Sequence, residues 1–251
     1  MSGPVRPPGA DLAGGGHRLA GVADAGAFLA RLVRLDPAAL VRLRPAGATG
    51  RTALWARLPW GVLAVRTVDG AGYGDVTVAA RELLAGLAAG EDALPARRDT
   101  QWHWPLPPST SRPVEALPAG ELWRIAEAAA GTLREAAAQG VAGRAVGQRA
   151  LRDALLDHVA VVVTPDDPPG PPVEIAQRLV QGLVRMGFLG RPGSAAGPAR
   201  PAAPAAPDAA GGDVQVRVAG RWVSLVGPYG AVWSQKVADL AVTPLGTQPK
   251  V

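Results

Sequence analysis

A chain of 251 residues is long enough to bury a core of its own, as one large domain or two small ones. It has no cysteine, which excludes disulfides, thiolate nucleophiles and Cys-ligated zinc, and no apolar run close to the roughly 20 residues of a membrane span. The net charge of +5 is concentrated: residues 31–66 hold seven arginines against one acid, Asp36, and carry +6, while the rest of the chain nets −1.

Residues 1–23 are rich in glycine and proline and read as a disordered tail. Asp24 is placed to cap a helix over 25–35, with Phe28, Leu32 and Leu35 toward the core, and Asp36-Pro37 stops it. Strands follow near 40–45, 53–58 and 62–68, the last two joined by the turn signal Pro59-Trp60-Gly61. After a glycine-rich turn at 69–74, a strand at 75–78 leads into a helix near 80–88. Residues 90–113, with Trp102, Trp104 and several prolines, read as an irregular connection.

The second half opens on the clearest helix, 120–138, with Leu122, Ile125, Ala126, Ala129, Leu133 and Ala137 on one stripe and Gly140 as its stop. A helix at 145–158, a buried strand at Val159–Val163, a proline-rich loop at 164–172 and a helix at 173–186 follow. That last helix directs Ile175, Leu179, Leu183 and Met186 inward, and Gln177, Arg178, Gln181 and Arg185 outward. Residues 190–213 are almost all Gly, Pro, Ala and Ser and read as a disordered linker. A hairpin at 214–226 and a short strand near 231–234 precede a loose tail, 237–251. The resulting fold class is α+β: a small antiparallel sheet with flanking helices in an N-terminal unit, 24–113, then a helical unit, 114–189, on which a hairpin, 214–236, packs. The segments Val78–Leu83 and Leu117–Leu122 resemble each other weakly, as strands entering helices, which reads as shared helix-start chemistry rather than duplication.

Strand alternation sorts the basic segment into a candidate anion- or nucleic-acid-binding face. Val41, Leu43, Leu54, Leu58, Leu63 and Val65 take one side, and Arg42, Arg44, Trp55, Arg57 and Arg66 take the other. Guanidinium groups beside an indole are the ingredients of a single-strand platform, and a solvated sheet face with Trp55 covered by a loop is the plainer alternative. Arg31 and Arg34 belong to the preceding helix and Arg51 to a turn. A pocket candidate is Asp99, Trp102, His103 and Trp104, where Asp99 would orient the imidazole. The same tryptophans beside Pro105, Pro107 and Pro108 also suit an extended clamp over the core. His17 lies in the tail, and His158 shares a helix face with Leu151, Ala154 and Leu155, as a core histidine does.

The helix, strand, helix and hairpin of 145–226 resemble a degenerate winged helix-turn-helix. That resemblance implies a DNA-reading face of Arg178, Gln181 and Arg185 with Arg217 and Arg221 on the wing. One helix stands between strand and hairpin where the family has two.

No sequence motif assigns a catalytic residue. There is no HExxH, GxGxxG, GxxxxGK or GxSxG, and Asp166-Asp167 sit in a proline-rich loop. The expectation is a cytoplasmic, non-catalytic binding or scaffold protein with a protein partner, no cofactor, no metal and no membrane contact. Nucleic-acid or polyanion binding through the basic face is the second reading, and an enzyme with a dispersed site near His103 is the third.

Overall fold

The computed structural model describes residues 16–47, 50–139, 148–165, 169–190 and 212–236. The expectations for residues 1–15, for Gly140, for Asp166-Asp167, for most of the 190–213 linker and for the 237–251 tail lie outside these residues.

Helix α1 (Val22–Leu35) forms because Ala25, Phe28, Leu29 and Leu32 recur at helical spacing and are all buried. It stops where expected: Asp36 is extended and its N–H donates back to Leu32 O. Its start differs from expectation. Gly21 is the N-cap residue and makes no side-chain cap bond. Asp24 lies inside the first turn, where a carboxylate still complements the helix dipole.

The meander β1 (Leu40–Pro45), β2 (Arg51–Arg57) and β3 (Leu63–Asp69) follows, then β4 (Val76–Ala79) running without a loop into α2 (Ala80–Ala89). A single 3-10 turn, Asp99–Gln101, interrupts the long connection to β5 (Arg112–Pro118), which runs directly into α3 (Ala119–Gln139). Next come α4 (Gln148–Asp157), β6 (Val159–Val163), β7 (Val173–Ala176) and α5 (Gln177–Arg185). A second meander closes the described chain: β8 (Asp213–Ala219), β9 (Trp222–Gly227) and β10 (Gly230–Gln235). The two segments that resemble each other in sequence are thus both strand-to-helix junctions, and β7–α5 is a third.

The fold is α+β, with a larger sheet than the sequence suggested. Eight strands pair in the order β4-β1-β2-β3-β10-β9-β8-β5, and β6-β7 form a separate ribbon. Each half of the large sheet is a three-stranded meander preceded by a helix, α1 or α5, with one extra strand beside its first strand. The halves meet where β3 pairs antiparallel with β10, through Val65–Ala231, Ala64–Val232 and Leu63–Trp233.

Three local elements differ from expectation. The expected connection, 90–113, ends inside β5, which contains Pro113 and Pro118; prolines cannot donate to a ladder, and β5 is an edge strand, the place that tolerates them, with a register shift at Pro113/Glu115. Residues 173–176 are strand rather than the first turn of a helix. Val159–Val163 pairs only with β7, so it is not a buried strand: Val162 is 57% exposed.

One face of the large sheet carries Val41, Leu43, Leu54, Ala64, Val232, Leu225 and Val216, and forms the main core together with residues of all the helices that line it, α1, α2, α3 and α5. Helix α5 comes very close. A Cβ on Gly182 would meet Val232 Cγ1 and Val62 Cγ2 at 3.2 Å. The N-terminal segment is stitched to the end of β3, where Ala20 and Gly21 N–H both donate to Asp69 O. His17, placed in the tail from sequence, is buried there, its Nδ1 accepting from Leu19 N–H at 3.0 Å. His158 is exposed after α4 rather than buried in a core.

Gly70 makes that stitching possible. It has φ +114°, and a Cβ there would lie 2.4 Å from Ala20 N and Arg18 O, both backbone atoms that cannot swing aside. Gly70→Ala is expected to lower stability by about 1–3 kcal/mol, the range for forced backbone strain and overpacking, read as a drop in urea midpoint with unchanged slope.

Candidate functional site on the outer face of the sheet

Register decides which side chains share the outer face. Arg42 pairs with Trp55, Trp55 with Val65, Val65 with Ala231, and Arg57 with Leu63. Arg42, Arg44, Trp55 and Arg57 therefore stand together. Arg66 does not join them: it is registered with Leu54, on the helix side of the sheet. There it pairs with Asp24 of α1 at 2.8 Å, donates to Tyr229 O and lies over the Tyr229 ring. Conversely, Leu63 and Val65, expected on the core side, face outward.

The outer face is itself covered. Leu63, Ala219, Trp222, Ala231 and Trp233 form a second buried cluster, against which Trp55, Val65, Val226, Trp102 and Leu106 pack. Trp102 and Leu106 come from the proline-rich connection, so residues 99–111 act as a strap across the sheet. One end is tied by Asp99, whose carboxylate accepts from Thr77 N–H and from Arg97 Nε, both at 2.7 Å. The other end is tied by Arg217, which donates to Ser111 Oγ at 2.9 Å and to Ser111 O at 2.6 Å. Between them Trp102 Nε1 donates to Trp104 O at 2.7 Å.

This strap fixes the fate of the arginines. Arg42 makes a two-pronged bond to Asp75, at 2.7 and 2.9 Å, and lies over the Trp102 ring. Arg44 Nε is 3.1 Å from the same carboxylate. The bond to Asp75 raises Arg42 above its ordinary value, and the bond from Arg42, aided by the charges of Arg44 and Arg97, holds Asp75 below its own against the opposing effect of burial. Arg57 is different. Its guanidinium stacks 3.5 Å from the centre of the Trp104 ring, and it has no carboxylate partner among the described residues. Partial burial lowers its proton affinity, although arginine stays charged at neutral pH. Trp104 is 41% exposed. Beside the pair lies a cleft of about 170 Å³ lined by Asp36, Leu40, Arg57, Pro59, Trp102 and Trp104 among others.

The remaining site candidates are dispersed. Asp99 is engaged with Thr77 and Arg97, and His103 is exposed, with no hydrogen bond to Asp99. Arg178 donates to Trp60 O at 3.1 Å and pairs with Asp157. Gln181 and Arg185 lie on α5, on the helix side of the sheet. Arg217 lies on the opposite side, holding the strap, and Arg221 is exposed in the β8–β9 turn. The β8–β9 hairpin is flanked by β5 and β10, so it is an interior part of the sheet and not a projecting wing. Gln177, expected to face outward, is 3% exposed. Among the described residues no group of His, Asp and Glu is placed to hold a metal ion, and no helix is long and apolar enough to cross a membrane.

Asp75 and the Arg57–Trp104 stack are the features that sequence reasoning missed. Asp75 is 33 positions from Arg42, and no local signal links them.

A continuous antiparallel sheet with helices on one face and a strapped, aromatic second face defines an α+β protein. The beta sliding clamp of Caulobacter crescentus, in a crystal structure with PEG bound to a putative beta-motif tethering region, is similar to this chain with a TM-score of 0.50 and 13% identity, over 89% of this chain and 65% of the clamp. The DNA polymerase III beta subunit from Thermotoga maritima gives a TM-score of 0.46 and 9% identity, over 88% and 64%. The chain spans just under two thirds of the length of these two proteins. In sequence, the family model described as Domain of unknown function (DUF8185) matches residues 106–239, more than half of the chain, and the chain belongs to that family. A second model, Domain of unknown function (DUF8010), matches residues 18–105. Comparison with curated proteins gave no match. The two matched regions meet inside the strap, yet their strands share one sheet.

The depressed proton affinity of Asp75 sets a pH dependence. Its ion pairs contribute at neutral pH, and that contribution is lost as pH falls through the lowered folded-state value. Asp75→Asn is expected to destabilise by about 0.5–1 kcal/mol at neutral pH, the range for partly exposed pairs. The gap to the wild type should close as Asp75 becomes protonated, read by urea unfolding across the acidic range.

Proposed function

We propose that this chain is a non-catalytic docking protein that holds a protein partner at the Arg57–Trp104 stack. The observation that carries this reading is that stack: a charged group without a carboxylate partner, lying on a tryptophan that the fold leaves 41% exposed. Tryptophan and arginine are the residues most enriched among interface anchors. Here the two side chains already lie against each other, the Arg57 guanidinium 3.5 Å from the centre of the Trp104 ring, and the Trp104 backbone is tied by the bond that Trp102 Nε1 donates to its carbonyl. Ordering them on binding therefore costs little entropy. The chemistry fits an extended partner segment that places an apolar side chain in the adjoining cleft and a carboxylate on the free edge of Arg57.

The clamp-like fold supports a scaffold role at the level of analogy. The neighbour with a TM-score of 0.50 is named a beta sliding clamp. A basic platform for nucleic acid has weaker support here. Asp75 already occupies Arg42 and Arg44 with its carboxylate, and Arg66 is on the other side of the sheet.

A photo-reactive amino acid at position 104 should cross-link a protein in its native cell extract, and nuclease treatment should leave the product intact. The same group at exposed Val162, on the separate β6–β7 ribbon, should not. Once the partner is in hand, Trp104→Ala should weaken binding by about 2 kcal/mol, the size of an interface anchor, or about 30-fold. Cross-links at position 104 to nucleic acid instead, or equal cross-linking from both positions, would contradict the proposal.

A further inference from the structure

A second cavity lies on the helix side, beneath the β2–β3 turn. It has a volume of about 360 Å³ and is walled by the end of α1, by α3, α4 and α5 and by Pro59-Trp60. Its lining is chiefly apolar, including Leu35, Trp60, Leu133 and Leu156. That volume is within the range of pockets that enclose small molecules. Of the residues lining the outer-face cleft it shares only Pro59.

Gln177 is what an apolar core does not explain. It occupies the first position of α5, between buried Ile175 and Leu179, is 3% exposed, lines this cavity, and its Nε2 has no hydrogen-bond partner. A buried amide donor left unpaired is unfavourable, and a leucine there would avoid the loss. The amide is accounted for if something else supplies an acceptor. Gln181 and Arg185 follow at intervals of four, so all three lie along one stripe of α5. Exposure increases along it, from buried Gln177 through half-buried Gln181 to exposed Arg185. Arg185 has no carboxylate partner among the described residues, and Arg152 and Asp153, which both line the cavity, form an ion pair at 3.7 Å. The stripe spans about 12 Å along the helix axis, at the usual rise per residue.

We propose that this cavity binds an elongated apolar carboxylate with an oxygen acceptor at its far end. The carboxylate lies at the mouth against Arg185 and Arg152, the apolar body lies on Leu35, Leu133 and Leu156, and the far oxygen accepts from Gln177 Nε2. The site is independent of the docking proposal above, and each stands or falls without the other.

Three probes of one length separate the parts of the claim: 10-hydroxydecanoate, decanoate, which lacks the far acceptor, and 1,10-decanediol, which lacks the charge. Calorimetric titration of the full chain should show the hydroxy acid binding about tenfold more tightly than either of the others. Its addition should also shift the Gln177 side-chain amide resonances. Gln177→Leu should raise the melting temperature, because it removes an unpaired buried amide, and should make the hydroxy acid and decanoate bind alike. Leu133→Trp, which fills the cavity, should abolish binding. The proposal is overturned if the three probes bind equally, if none binds, if Leu133→Trp leaves binding intact, or if Gln177→Leu changes the melting temperature while the preference for the hydroxy acid persists.

Discussion

The pairing of β3 with β10 is the constraint on which the rest of the structure depends. It joins residues more than 160 positions apart, and it is the seam between the two helix-plus-meander halves. On its inner side Ala64 and Val232 sit beneath α1 and α5, whose residues enter one core. On its outer side Leu63, Val65, Ala231 and Trp233 form the apolar floor that the strap covers. A chain closure of this length is entropically costly before any contact forms, and burial on both faces of the seam offsets it. Without the seam, each half would be a four-stranded sheet with an exposed apolar edge, the kind of edge that proteins cover or pair.

Covering both faces of the sheet also explains what became of the arginines. On a sheet with one wet face, the five arginines of its first three strands could form a continuous basic field. Here the fold divides them. Arg66 ties α1 to the sheet, Arg42 and Arg44 converge on Asp75, and Arg51 approaches Asp69 at 3.3 Å. Arg57 is left stacked on an exposed tryptophan. The charge excess of the segment therefore goes largely to structure, and the part that remains open is one guanidinium stacked on one half-exposed tryptophan.

Much of the fold was legible. Phe28 and Leu32 marked α1, the stripe from Leu122 to Ala137 marked α3, and Pro59-Trp60-Gly61 marked the hairpin turn, because each is a local signal. The phase of β3 was not legible. In Leu63-Ala-Val-Arg-Thr-Val-Asp69 apolar residues fall on both sides, as they must when both faces are buried, so alternation cannot say which side faces the helices. The hairpin register alone places Arg66 inward. The end of β5 at Leu117-Pro118 reads as an extended segment entering a helix, but its start at Arg112-Pro113 falls in the expected connection, since the cost of a proline depends on whether a strand is at an edge, a property of the whole sheet. Of the site, Trp102 and Trp104 stood out as aromatics in a proline-rich segment. Their partners Arg42, Arg57 and Asp75 come from other strands and could be assigned only in three dimensions. Gln177 looked like a surface residue on a helical wheel, and its burial arises from α3 and α4 closing over the start of α5.

The central claim is that the strap covers the tryptophan cluster of the outer face and leaves Trp104 open. Hydroxyl-radical footprinting of the native chain, read by mass spectrometry at each tryptophan, tests it directly. The account predicts fast oxidation at Trp104 with strong protection of Trp222 and Trp233 beneath the strap. Comparable oxidation of Trp222, Trp233 and Trp104 in the folded protein would show that the face is open and would contradict it.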